Sequence, residues 1–89
     1  MNYDAYIIEV LLEAGERGLT PSKIAHHVHN RVNTFFSQTD YEDVYGYVRA
    51  FILRNTRHPY SLLKRTGKWG HYCLNPSSEM FKQQRLKFE

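Results

Sequence analysis

The residues with the most chemistry to offer are gathered late in the chain. Arg49, Arg54, Arg57 and His58 lie on or just after a helical stretch, and Lys64, Arg65, Lys68, Trp69 and His71 crowd a short glycine-containing segment. Cations at that density can neutralise phosphates, and an arginine fork can also read a guanine edge. Gly67 and Gly70 let the backbone approach a ligand closely, while the Trp69 ring can stack, wedge or fold back on a core edge. Charge is steeply polar along the chain. Residues 1–45 carry three basic against seven acidic groups, net −4, and residues 46–89 carry nine against two, net +7. Such asymmetry points to an anionic partner for the C-terminal half, the plainer alternative being a solvated basic surface.

Other chemistries are poorly provided for. His26, His27 and His29 cluster, and His26 with His29 is an i, i+3 pair, but a zinc site would need further ligands from His58, His71 or Cys73. No H-E-x-x-H or C-x-x-C spacing supports one, so no metal is expected. The histidines read as surface groups that gain positive charge below about pH 6.5. Cys73, between Tyr72 and Leu74, reads as a small packing residue rather than a nucleophile. As the one cysteine it excludes an intramolecular disulfide and suits a reducing compartment. Neither a glycine-rich phosphate loop nor a catalytic-triad spacing is visible, so the expectation is a chain that is not an enzyme and takes no cofactor.

Size and composition set the frame for these residues. Eighty-nine residues at 10.6 kDa allow one small domain with one modest core, too little for a large enzyme pocket. At 42% apolar and 24% charged the chain is too apolar for disorder, and 15% aromatic residues can fill a small core efficiently. The longest apolar stretch, Ala5 to Leu12, carries Glu9 and falls far short of the roughly 18 residues of a membrane span. The first residues show no basic n-region and no small-residue cleavage site, so a cytoplasmic, intracellular protein without membrane contact is expected.

The elements that must hold the cations follow from periodicity. A first helix from Asn2 or Tyr3 to about Glu13 places Ile7, Val10, Leu11 and Ala14 on one stripe, with Gly15 as its stop and Gly18 ending a short link. Thr20 as N-cap and Pro21 at N1 start a second helix, which runs to Val32 or Asn33 with Ile24, Ala25, Val28 and Val32 inward. His26, His27 and Asn30 fall opposite, His29 and Arg31 on the borders, and Phe35 and Phe36 anchor the next loop. Thr39 with Glu42 reads as a capping box for a third helix over about Asp40 to Asn55, closed by Pro59. Its inward stripe is Tyr41, Val44, Tyr45, Val48 and Phe51 or Ile52, and Asp43, Tyr47, Ala50 and Arg54 take the other face.

After Pro59 the period changes. Tyr60–Arg65 and His71–Asn75 are two strands separated by Thr66-Gly67-Lys68-Trp69-Gly70, the signature of a hairpin. Tyr72 and Leu74 share one face and His71 and Cys73 the other; Leu62 and Leu63 compete for the inward position of the first strand, with Leu63 favoured. Pro76 closes a domain over residues 1–76. Within the remaining tail, 77–89, Ser77 or Ser78 caps a short helix containing Met80, Phe81, Gln84 and Phe88. That helix either packs back on the first or forms a dimer contact, so a monomer or weak homodimer is expected.

The predicted fold class is mainly α with a small β-hairpin, in the order helix, short extended link, helix, helix, hairpin. The stretch Leu19-Thr20-Pro21-Ser22-Lys23-Ile24-Ala25 resembles the start of helix two in winged helix-turn-helix modules, where a capped T-P-x-x-I-A helix is common. The stretch from Leu63 to Leu74, ending Gly70-His71-Tyr72-Cys73-Leu74, resembles their wing with its G-x-Y-x-L closing strand. Residues 1–75 are covered by this resemblance, and the nearest kin it suggests are the HARE-type winged helices found beside restriction, chromatin and RNA-polymerase proteins. It implies a three-helix core with a two- or three-stranded wing, and DNA binding in transcription regulation through helix three and the wing. The residues it would use are Arg49, Arg54, Arg57, His58, Lys64, Arg65, Lys68, Trp69 and His71.

One segment runs against conventional readout. The start of a recognition helix meets the base edges, and here that start is Asp40-Tyr41-Glu42-Asp43, whose carboxylates would face phosphates. The loop from Asn33 to Thr39 also exceeds the 3–4 residues of a tight helix-turn-helix turn. Binding led by the wing and the end of helix three is one expectation. A protein-interaction winged helix in a transcription or DNA-processing assembly, with Tyr47, Ala50 and Trp69 at its contact surface, is the other.

Overall fold

The computed structural model describes residues 2–34 and 38–78. Helix α1 (Asp4–Ala14) starts where Asn2 Oδ1 accepts the Asp4 N–H at 2.9 Å. It buries Ile7, Ile8, Val10 and Leu11, so Ile8 widens the expected stripe, while Ala14 at the helix end is half-buried. Gly15 stops the helix at φ 68, ψ −151, and a 3-10 turn over Gly15–Arg17 ends in Gly18 at φ 65, ψ −173. Both pairs of angles lie in a region essentially confined to glycine.

Helix α2 (Pro21–Val32) begins as its sequence dictates: Thr20 Oγ1 accepts the Lys23 N–H at 3.3 Å, and Pro21 occupies the first turn where no N–H is needed. Ile24, Ala25 and Val28 are buried, and His26, His27 and Asn30 are exposed. On the border, Arg31 reaches Glu9 at 3.3 Å and Glu13 at 2.7 Å and ties α2 to α1.

Helix α3 (Tyr41–Arg54) ends where expected but departs from expectation at its cap. Its N-cap is Asp40, whose Oδ1 accepts at 3.1 Å the Glu42 N–H that a Thr39 cap would need, and the Thr39 N–H, the return leg of a capping box, goes to Asn33 Oδ1 at 2.7 Å. Its C-cap is Asn55, four residues before Pro59. There Asn55 Nδ2 donates to the Phe51 carbonyl and Thr56 Oγ1 to the Ile52 carbonyl, each at 2.8 Å, adding to the Asn55 N–H, which already donates to both carbonyls. Val44, Val48, Phe51 and Ile52 are all buried, so the choice between the last two does not arise. Tyr47 is not on the wet face: it is half-buried, edge-on to Tyr3 at 5.1 Å, and its hydroxyl donates to Asp4. Burial first, and the Asp4 bond next, push the Tyr47 phenol above its ordinary 10.0.

Strands β1 (Leu63–Arg65) and β2 (Tyr72–Leu74) pair antiparallel in the register Leu63–Leu74, Lys64–Cys73, Arg65–Tyr72. The first strand is shorter than its alternation suggests. Ser61 N–H closes a turn on the His58 carbonyl at 3.1 Å, so Tyr60 and Leu62 precede the ladder. Tyr60 is consequently exposed, whereas Leu62 and Leu63 are both buried, one from the turn and one from the strand. A third strand position is a single residue: Leu19 and Tyr72 exchange two backbone hydrogen bonds of 2.9 Å. The stripes of the three helices meet Leu62, Leu63 and Leu74 in one apolar cluster, with Tyr72 packed on its edge. The result is a mainly helical chain closed by a two-stranded hairpin. Among the described residues no helix is long and apolar enough to cross a membrane. The expectations for Phe35 and Phe36, and for a tail helix through Met80, Phe81, Gln84 and Phe88, fall outside the described residues.

Candidate functional site

The turn between β1 and β2 is built from local hydrogen bonds. Thr66 N–H donates to the His71 carbonyl at 2.9 Å, His71 N–H to the Lys68 carbonyl at 3.2 Å, and Lys68 N–H to Thr66 Oγ1 at 3.1 Å. The His71 ring adds an Nδ1–H bond of 2.9 Å to the Trp69 carbonyl, and Gly70 reverses the chain at φ 72. These bonds use the backbone of the turn together with the Thr66 hydroxyl and the His71 ring. Lys64, Arg65, Lys68 and Trp69 are exposed, Trp69 to 92%. The indole is therefore not folded onto the core edge.

Three open hollows surround this hairpin and share residues with one another. The first lies between the end of α3 and β1 and is lined by Arg57, His58, Lys64 and Arg65. The second, at the hairpin tip, continues from Arg65 through Lys68 to Trp69 and Tyr72. The third runs from Thr66, Lys68 and His71 across to Arg17, Gly18 and Lys23. Arg65 joins the first to the second and Lys68 the second to the third, so the cations form one band. Its lining holds Arg17, Lys23, Arg57, Lys64, Arg65 and Lys68 against a single carboxylate, Glu16. Among the described residues the only ion pairs are those of Arg31 with Glu9 and Glu13, so none of the six band cations is neutralised by a carboxylate there.

The structure thus brings together Arg57, His58, Lys64, Arg65, Lys68, Trp69 and His71 from the expected set. Arg49 and Arg54 stand apart on the exposed side of α3. Arg49 lies 5.8 Å from the Tyr45 ring centroid, at the end of a column in which Tyr45 stacks near Tyr41 at 6.0 Å and Tyr41 on His26 at 4.4 Å. Partial burial pushes the Tyr41 phenol above 10.0, with Tyr45 and Glu42 adding to the effect. Two of the clustered histidines are engaged here: His26 in the stack, and His29 through an Nε2–H bond of 2.7 Å to the Thr39 carbonyl. Among the described residues no three His, Cys, Asp or Glu side chains gather in a way that could hold a metal ion. Burial also pushes the Cys73 thiol above its ordinary 9.0, only partly offset by Lys64.

Arg17 and Lys23 belong to the band and were not among the expected residues. They sit in the net-acidic half of the sequence, and no local signal marks them. The Leu19–Tyr72 bridge delivers them, because it lays the 3-10 turn and the start of α2 beside the hairpin. Asn75 is a second unanticipated contributor. Buried to 4% exposure, it donates from Nδ2 to the Pro59 carbonyl at 2.8 Å and the Ser61 carbonyl at 2.9 Å. It thereby fastens the loop carrying Arg57 and His58 to the end of β2. The acidic start of α3 is as the sequence implies, with Asp40, Glu42 and Asp43 all exposed.

The arrangement spreads positive charge along an extended, solvent-facing strip rather than converging it on one point. Comparison of the chain with protein-family models, with curated proteins and with solved structures gave no match.

Proposed function

We propose that this chain is a winged helix-turn-helix domain that binds nucleic acid, DNA in the first instance, along the band formed by the loop after α3, the hairpin and the start of α2. The observation that carries the proposal is the continuity of that band: six cations against one carboxylate, with no compensating ion pair among the described residues. The fold part of the reading is supported by the element order and by the Leu19–Tyr72 bridge, which such a domain would use as a short first strand of its wing. Fold alone does not assign function, so the charge distribution carries the ligand.

Phosphate-led binding has a measurable signature. A protein neutralising Z phosphates loses affinity with salt at a slope of about −0.9Z on B-form DNA. Lys64→Ala, Arg65→Ala, Lys68→Ala and Lys23→Ala should each weaken binding of a mixed-sequence duplex and reduce the slope by about 1. Nuclear magnetic resonance titrations at about 50 mM and about 200 mM salt should place shifts at Arg57–His58 and Lys64–His71 that fade at the higher salt. A duplex that produces no shifts at low salt removes the DNA reading.

A second reading is favoured by one observation. The exposed face of α3 presents Gly46, Ala50 and Leu53, and Leu53 is 65% exposed. A protein-interaction winged helix would use that strip together with Trp69. Tyr47 drops out of the surface because it bonds inward to Asp4.

A further inference from the structure

We infer that Trp69 is a base-stacking element, and that the ligand class of the band is DNA with an unpaired, accessible base rather than continuous duplex. The inference rests on the nucleic-acid reading above and adds to it a preference among DNA structures.

Tryptophan is a large, mostly apolar side chain that proteins usually cover, and at 92% exposed Trp69 contributes nothing to the core. The turn is nevertheless organised around it. His71 holds its carbonyl, Thr66 holds the backbone of Lys68 before it, and Gly70 after it adopts a positive φ. The indole consequently projects from a fixed base instead of collapsing on the hairpin. Among the described residues no aromatic ring stacks on it. It shares a hollow with Arg65 and Lys68. A flat π face beside two cations matches the two parts of a nucleotide, the base and its flanking phosphates.

Magnitudes select the ligand. Stacking one base on an aromatic side chain is worth about 5- to 150-fold in affinity. Inside an intact duplex both faces of each base are already covered, and prising a step open costs as much as the new stack returns. An unpaired base offers its face without that cost. Entry of α3 into a major groove is opposed by Asp40, Glu42 and Asp43, which leaves the hairpin as the leading contact.

Trp69 is the sole tryptophan of the chain, so its emission reports on this position alone. The test uses the full 89-residue chain with two DNAs: a short duplex closed at both ends by non-nucleotide linkers, and the same duplex carrying an unpaired thymine bulge. Binding is followed by anisotropy of a dye on the DNA. The bulged DNA should quench Trp69 and bind about 5- to 150-fold more tightly than the closed duplex. Trp69→Ala should abolish that preference, and Trp69→Phe should restore part of it. Equal binding of both DNAs with unaltered emission overturns the stacking assignment and leaves DNA binding intact. Failure to bind either DNA at low salt overturns the reading beneath it.

Discussion

Gly18 is the residue on which the geometry of the band most depends, and Gly18→Ala measures that dependence. Two costs combine. The backbone at φ 65, ψ −173 is essentially glycine-only, and holding a residue with a Cβ there costs about 1–3 kcal/mol. A Cβ at Gly18 also runs into the Tyr72 carbonyl oxygen and lies 2.8 Å from Thr66 Cγ2. That carbonyl oxygen is the acceptor of the Leu19 N–H, in a bridge whose second bond returns from Tyr72 N–H to Leu19. Displacing it puts both bonds at risk, at about 0.5–1.5 kcal/mol each. The expected loss is thus about 2–6 kcal/mol, a large share of the 5–15 kcal/mol typical of a domain. Gly15→Ala is the matched control. Gly15 has a similar backbone, at φ 68, ψ −151, but a Cβ there meets nothing within 4 Å, so about 1–3 kcal/mol is expected. Urea unfolding followed by circular dichroism reads both variants, as midpoint shifts at unchanged slope. Equal losses for the two would refute the argument, since the contact with Tyr72 is what separates them. In the folded fraction of Gly18→Ala the start of α2 should also swing from the hairpin, weakening the contribution of Arg17 and Lys23 to any polyanion.

Asn75→Ala removes both donors to the Pro59 and Ser61 carbonyls and should cost about 1–3 kcal/mol in the same unfolding assay. Asn75→Asp should cost more, because a carboxylate would then face two carbonyl oxygens; a loss below that of Asn75→Ala would contradict this. Cys73 should alkylate far more slowly in the folded protein at pH 8 than in urea, because it is buried and its thiol is pushed above 9.0. Its contribution to alkaline stability follows in sign. The unfolded thiol ionises first, so stability is full below pH 9.0 and falls as pH rises through the higher folded value. Cys73→Ala should remove that part of the alkaline decline, and an unchanged profile would show that other groups cause it.

The helices, and the start of α2, were legible in the sequence because the signals for them are local. The 3.6-residue stripes of Ile7, Val10 and Leu11 and of Ile24, Ala25 and Val28 mark buried faces without reference to the rest of the chain. Thr20 and Pro21 act on the next few N–H groups, and Gly15 and Gly18 adopt angles that other residues resist. Two glycines between short alternating runs sufficed for the hairpin, and the steep charge gradient for a basic C-terminal half.

What sequence alone did not decide depends on which atoms compete for a partner far along the chain. Asp40 rather than Thr39 caps α3, its carboxylate taking the Glu42 N–H while Asn33 holds the Thr39 N–H. Tyr47 turns inward because α1 brings Tyr3 and Asp4 beside it, and Trp69 turns outward because the turn bonds leave it no surface to cover. The hairpin cations were visible as a cluster, but their joining to Arg17 and Lys23 is the work of one bridge between residues 53 positions apart, Leu19 and Tyr72. Periodicity and capping report energies set within a turn or two of chain. Pairing across the fold is set by loop closure and by the shape of the assembled core, and no short window of sequence contains it.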